Sequence, residues 1–277
     1  MKQFYKKAVI GMLLVSMLGL IGCGDSKDEK AVKKIEEALQ AKYGEAFEVE
    51  GLGGGFGTMN SNTLKAVVHP AGDPSLKVSV EITKDLKQVY DKYVNEKLAR
   101  AAREPIGELA KGIWGDSRIE VANDTGLTYP EEADTSMSYA DFIKRYPNNW
   151  QIVSVYLDGS AYIDGKGDLN AEEEIARYGQ FAEELKEKGY FRSSVYISYL
   201  TPEAYAKFDE LAKETKAVGL LLSDEQENDG TLNVLTISGF KIYEDGRVDA
   251  TKAQFQADFD RWQGERQQGA QRTGASE

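Results

Sequence analysis

Apolar and polar positions alternate along this chain with two periods, one helical and one extended. From Asp28 to Tyr43, Val32, Ile35 and Leu39 recur at helical spacing among Lys33, Lys34, Glu36 and Glu37, and Gly44 closes the segment. Phe47 and Val49 then alternate with Glu48 and Glu50. Two more extended runs, Thr63 to His69 and Leu76 to Ile82, flank Pro70-Ala71-Gly72-Asp73-Pro74. Lys84 to Glu104 returns to the helical period through Leu86, Val89, Tyr90, Tyr93, Val94, Leu98 and Ala101. That helix is expected to stop at Pro105, whose ring lacks a donor and crowds the preceding turn. A short helix over Pro105 to Asp116 follows, so the predicted order is αβββα.

The second half alternates the two periods more quickly. Ser117 to Ala122 reads as a strand, and Asn123 to Ser136 as a polar interdomain loop. Ser138, with Asp141 three residues on, caps a short helix that Pro147 stops. Gln151 to Leu157 is a strand. Asn170 and Glu173 box the start of a helix from Ala171 to Lys188 that buries Ile175, Tyr178, Phe181, Ala182 and Leu185. Arg192 to Leu200 sets Val195, Ile197 and Tyr199 against Ser194, Tyr196 and Ser198, and Thr201-Pro202 opens a helix through Lys213. Ala217 to Ser223 and Leu232 to Tyr243 are predicted strands joined by an acidic loop, Asp224 to Thr231. Asp249 caps a last helix bearing Phe255, Phe259 and Trp262, and the tail beyond has nothing to bury. The predicted fold class is α+β in two small modules: the first αβββα with a mostly antiparallel sheet, the second a mixed α/β sandwich. In the order of its elements the first module resembles the cystatin-like and PepSY-like modules of some bacterial lipoproteins, and order of elements does not fix function.

The start of the chain changes the picture. Lys2, Lys6 and Lys7 precede an apolar run from Ala8 to Leu18, and Leu20-Ile21-Gly22-Cys23 follows. The run is shorter than the roughly 20 apolar residues of a spanning helix, and Asp25 and Lys27 end it. These features resemble a bacterial lipoprotein signal peptide. The resemblance implies that Leu20 and Gly22 are read by the processing enzymes and that the mature chain begins at a diacylglyceryl Cys23. It further implies an extracytoplasmic protein anchored to the cell membrane by lipid. The expected organisation is a cleaved signal over 1–22, a tether over 23–29, an N-terminal module over 30–116, a C-terminal module over 117–262 and a disordered tail over 263–277.

Charge and composition then narrow the classes. The formal charge is -12, and loss of Lys2, Lys6 and Lys7 makes it more negative still. Nucleic acid is excluded as a partner, because phosphates need a basic face, and attachment to an anionic leaflet must come from acyl chains. Cys23 is the one cysteine, so its lipidation leaves no thiol for a disulfide, a zinc site or a nucleophile. His69 is the one histidine and no nucleophile motif accompanies it.

The motifs that invite chemistry each fail a specific requirement. Gly51-Leu52-Gly53-Gly54-Gly55-Phe56-Gly57 lacks the glycine spacing of a dinucleotide fingerprint and the Gly-Lys-Ser/Thr ending of a P-loop. It reads as a turn beside a binding surface. Asp124-Thr125-Gly126 occurs once, whereas aspartic protease chemistry needs two such carboxylates. A calcium loop begun at Asp164 and Asp168 has Lys166, Leu169 and Ile175 where ligands or glycine belong, so the two aspartates are weak candidates and no metal or cofactor is expected.

The expectation is therefore a non-catalytic binding module of the cell envelope, with an envelope protein or the cell wall as partner. Its candidate surface comprises Gly53, Gly54, Gly55, Phe56, Tyr156, Tyr196 and Tyr199, with tyrosines combining apolar area and a polar tip. Two other readings stay open: a small-ligand or cell-wall binding component assisting a transporter or envelope complex, and a hydrolase whose site has no sequence signature.

Overall fold

The computed structural model of the protein describes residues 26–53, 62–124, 135–163, 169–210, 234–249, 251–261 and 264. The lipobox residues Leu20, Gly22 and Cys23, the loop residues Gly54, Gly55 and Phe56, the acidic pair Asp164 and Asp168, the predicted strand 217–223 and the tail lie outside them. The chain is α+β, and its described residues form two four-stranded sheets, one antiparallel and one mixed. By packing it divides into two compact units. Among the described residues, those up to 73 together with 80–89 form one, and 74–79 together with those from 90 onward form the other.

In the first unit, α1 (Lys27–Tyr43) begins at a capping box. Ser26 Oγ accepts from Glu29 N at 3.2 Å while Ser26 N donates to Glu29 Oε2 at 2.7 Å, satisfying two orphan donors. Gly44 ends it at φ 74°, a conformation that a side chain would strain. The helix buries Ala31, Ile35 and Leu39, with Val32 only half-buried. β1 (Phe47–Gly53) pairs antiparallel with β2 (Thr63–Pro70), with a register shift between Val49 and Gly51. β3 (Val78–Thr83) and β4 (Val89–Asp91) complete the order β1-β2-β3-β4, so the three predicted strands form and a fourth joins them.

That fourth strand corrects the helix expected from Lys84. Thr83 folds the chain back instead: its Oγ1 accepts from Lys87 N and Gln88 N at 3.2 and 3.1 Å, and its N donates to the Gln88 carbonyl at 3.0 Å. Leu86 takes a left-handed φ of 60° in the turn. Local side-chain hydrogen bonds of this kind compete directly with helix formation. The helix, α2 (Tyr93–Trp114), therefore starts nine residues late, and it also runs straight through Pro105. Pro105 is exposed, so the freed carbonyl faces water, while Ala99, Ala102, Ile106, Ala110 and Trp114 are buried on the other side. Packing on both flanks outweighs the roughly 3 kcal/mol penalty of an interior proline. α2 belongs to the second unit, because its apolar stripe joins that unit's core, whereas its periodicity placed it at the end of the first module.

The second unit continues with β5 (Arg118–Asp124), α3 (Tyr139–Arg145), β6 (Trp150–Asp158), α4 (Ala171–Glu187), β7 (Ser193–Leu200), α5 (Pro202–Ala206), β8 (Val234–Ile242) and a helical segment, α6, over 252–261. Ser138, Asn170 and Thr201 cap α3, α4 and α5 as expected from the sequence. The sheet order is β5-β6-β7-β8, with β6 parallel to β7 and the outer pairs antiparallel. Val153, Val155, Leu157, Val195, Ile197, Tyr199, Phe240 and Ile242 point to one face, where they pack with α2, α4 and α6 into a continuous core. Trp114 meets Phe181 edge-on at 5.2 Å and Tyr178 meets Phe255 at 4.8 Å inside it.

Candidate functional site

Each face of the second sheet carries polar groups, buried on one face and open to water along part of the other. On the core face, Glu174 shares the α4 stripe with Tyr178, Phe181 and Leu185, spaced four, seven and eleven residues apart, and is buried with them. A bare carboxylate there would be costly. Its Oε2 accepts from Trp114 Nε1 at 3.1 Å and from the Tyr199 hydroxyl at 2.6 Å, and its Oε1 pairs with Arg177. The Tyr178 and Tyr199 hydroxyls lie 2.7 Å apart, and burial raises the pKa of both. Tyr162 completes the cluster, donating to the Trp114 carbonyl at 2.5 Å beneath the Arg177 guanidinium. Both oxygens of Glu174 are thus occupied by donors from α2, α4 and β7. The group ties three elements together and is not a free acid or base.

The opposite face is read from the strand register, because paired residues share a face. Glu120, Ser154, Tyr196 and Gly239 form one row, and Ala122, Ile152, Ser194 and Lys241 form the next. A further row, Arg118, Tyr156 and Ser198, lies toward the end of the sheet where α5 and Phe208 pack. Phe208 stacks 4.8 Å from Tyr156, the Arg118 guanidinium lies 5.1 Å from the Tyr205 ring, and burial pushes the Tyr156 and Tyr205 hydroxyls each up to about 12.

Along β8 this face is open. Tyr196 is 41% exposed on a strand whose other residues are buried, and Lys241 is exposed beside it. With Ser194, Asp249, Gln254 and Arg261 they line a groove of about 370 Å³ that runs from the sheet to α6. Gly239 makes the groove's floor possible: a Cβ there would stand 2.3 Å from the Val195 carbonyl oxygen, closer than any real contact. Asp249 closes the strand edge at one end. Its Oδ1 accepts from Lys241 N at 2.8 Å, its N donates to the Lys241 carbonyl at 3.1 Å, and its Oδ2 accepts from the Tyr243 hydroxyl at 3.1 Å. The groove therefore has a fixed rim and offers an aromatic ring, the Lys241 ammonium, an Arg261–Asp258 ion pair and amide and carboxylate acceptors.

The three tyrosines expected on one surface separate. Tyr196 lines the groove, Tyr156 is 3% exposed under Phe208, and Tyr199 is 0% exposed on the core face, so they do not form a common platform. Gly53 ends β1 and is exposed. His69 is buried at the end of β2 with its Nδ1 3.1 Å from the Pro70 carbonyl, and it lines neither this groove nor the second unit's other pocket. Glu174 was not singled out by the sequence, although its i+4 and i+7 spacing to Tyr178 and Phe181 places it on the buried stripe.

Comparison with known proteins adds fold and no activity. No family model matches the chain, and no curated protein matches it. A crystal structure of a DUF5037 family protein from Ruminococcus gnavus ATCC 29149 superposes with a TM-score of 0.53 at 20% identity, covering 83% of this chain and 98% of that one. At this identity the likeness is one of architecture.

Proposed function

We propose that the protein is a lipid-anchored, extracytoplasmic and non-catalytic binding module that meets an envelope protein or the cell wall through the β8 side of its second sheet. The observation that carries this reading is Tyr196. An aromatic residue stands exposed at the centre of an otherwise buried strand, opposite a glycine that lets the two strand backbones approach closely, over a groove with a fixed polar rim. Tyrosine in this setting contributes contact area at low entropic cost, the usual property of a recognition anchor. The two conspicuous polar groups elsewhere, Glu174 and His69, are engaged internally or by neighbouring backbone. Anchoring is supported by Leu20, Gly22 and Cys23 after a basic and then apolar run.

The test is envelope fractionation of the full chain and a Cys23→Ser variant, with in-cell cross-linking on both. The expected result is release of the variant from the membrane and a reproducible adduct at Tyr196 or Lys241 in the anchored chain. Retention of the variant in the membrane would remove the lipid anchor from the account, and adducts that avoid the β8 side would remove the surface.

A further inference from the structure

A second pocket opens at the end of the same face, beyond Lys241. Trp150 and Tyr243 meet edge-to-face, with ring centroids 5.5 Å apart and planes at 89°. With Arg192, Glu244, Asp245 and Arg247 they line an open pocket of about 460 Å³, within the range of small-ligand sites. Its walls are held in place. Asp249 fixes the Tyr243 hydroxyl, and Arg247 stacks on the Tyr243 ring at 4.4 Å. Arg192 adopts a left-handed φ of 51°, a conformation that costs a β-carbon residue energy and persists only where surroundings enforce it. The Tyr139 hydroxyl enforces it by donating to the Phe191 and Arg192 carbonyls at 2.9 and 3.3 Å, and Gln151 N donates to the latter at 2.8 Å.

The charges decide the ligand class. Arg192 is paired with Glu244 and Arg247 lies 3.7 Å from Asp245, so the pocket offers donors and acceptors side by side with little net charge. A phosphate or a carboxylate would have to displace an ion pair, and an apolar ligand would desolvate four charged groups. A neutral polyhydroxyl ligand meets neither penalty: its hydroxyls both donate and accept beside the two ion pairs, and its C–H groups pack against the aromatic wall that Trp150 and Tyr243 make. We propose that the Trp150–Tyr243 pocket binds a neutral saccharide. The proposal rests on the reading of the chain as a binding module but not on the Tyr196 groove.

Purified full-length chain titrated with two neutral probes, the β-linked tetramer of N-acetylglucosamine and the α-linked tetramer of glucose, tests it by calorimetry. The expected result is saturable binding of at least one probe, weakened by about tenfold or more in Trp150→Ala and in Arg247→Ala and unchanged in Lys34→Ala. Arg247 is exposed, so its variant keeps the fold and remains informative if Trp150→Ala does not melt cooperatively. Binding of neither probe, equal affinity in Arg247→Ala, or displacement of a bound probe by inorganic phosphate would overturn the proposal. If saccharides fail while Tyr196 still yields adducts in cells, the saccharide site falls and the binding module stands. Failure of both removes the module.

Discussion

The two faces of the second sheet come from the same strands, residue by alternate residue, and they are finished in opposite ways. On the core face the large side chains are buried or half-buried, and Glu174 has one oxygen taken by donors from α2 and β7 and the other by Arg177 of its own helix. On the β8 side of the other face Tyr196 and Lys241 are left in contact with water beside a glycine. Satisfied groups hold a fold together; unsatisfied and exposed ones are available to something else. Polarity alone therefore does not mark a site in this molecule, and availability does.

The comparison breaks first if Glu174 is dispensable. Glu174→Ala leaves the Trp114 indole N–H and the Tyr199 hydroxyl buried without their acceptor and is expected to cost about 2–3 kcal/mol in chemical denaturation. A cost near zero would mean that the cluster is not what joins α2, α4 and β7. The same cluster has a signature in pH. Burial raises the Tyr178 and Tyr199 pKa values above the unfolded value of about 10, so their contribution is complete below that pH and is lost above it, because the unfolded chain releases those protons first. Stability should fall steeply above pH ~10, with the two phenols ionising only as the protein unfolds in a tyrosinate absorbance titration.

Gly239→Ala sharpens the boundary between the faces. Its new methyl group meets the Val195 carbonyl, so the strands must shift, at an expected cost of about 1–3 kcal/mol and with the groove distorted. A melt indistinguishable from wild type would show that β8 already sits further from β7. Tyr196→Ala should have the smallest effect on stability, within about 0.5 kcal/mol, since little around it depends on its ring. It should nonetheless abolish the in-cell adduct at Lys241, a separation of binding from folding that a merely structural tyrosine would not show.

Much of this architecture was legible from periodicity and caps. Ser138, Asn170 and Thr201 each announce a helix start that the chain uses. The alternation in Arg192 to Leu200 already assigns Val195, Ile197 and Tyr199 to one face and Tyr196 to the other. What escaped the pattern was decided by contacts distant in sequence or by local competition. Thr83 captures the backbone of Lys87 and Gln88 and replaces a helical turn with a hairpin, although the apolar spacing through Leu86 favours the helix. Pro105 survives inside α2 because the flanking turns are packed. Tyr156 lies on the same face as Tyr196 and is buried only because Phe208, more than fifty residues later, closes over it. The Trp150 and Tyr243 pocket joins residues from β6 and the segment after β8, and no local spacing connects them.

Tyr196 and Val67 are exposed to nearly the same degree, 41% and 42%, and they lie in different units of the chain. A diazirine-bearing amino acid placed at each position in turn, followed by irradiation of intact cells and mass spectrometry, therefore tests whether availability to a partner follows the β8 face or exposure alone. The account predicts a discrete, reproducible adduct from position 196 and none from position 67. Equal labelling from both positions, or an adduct from 67 alone, would contradict it.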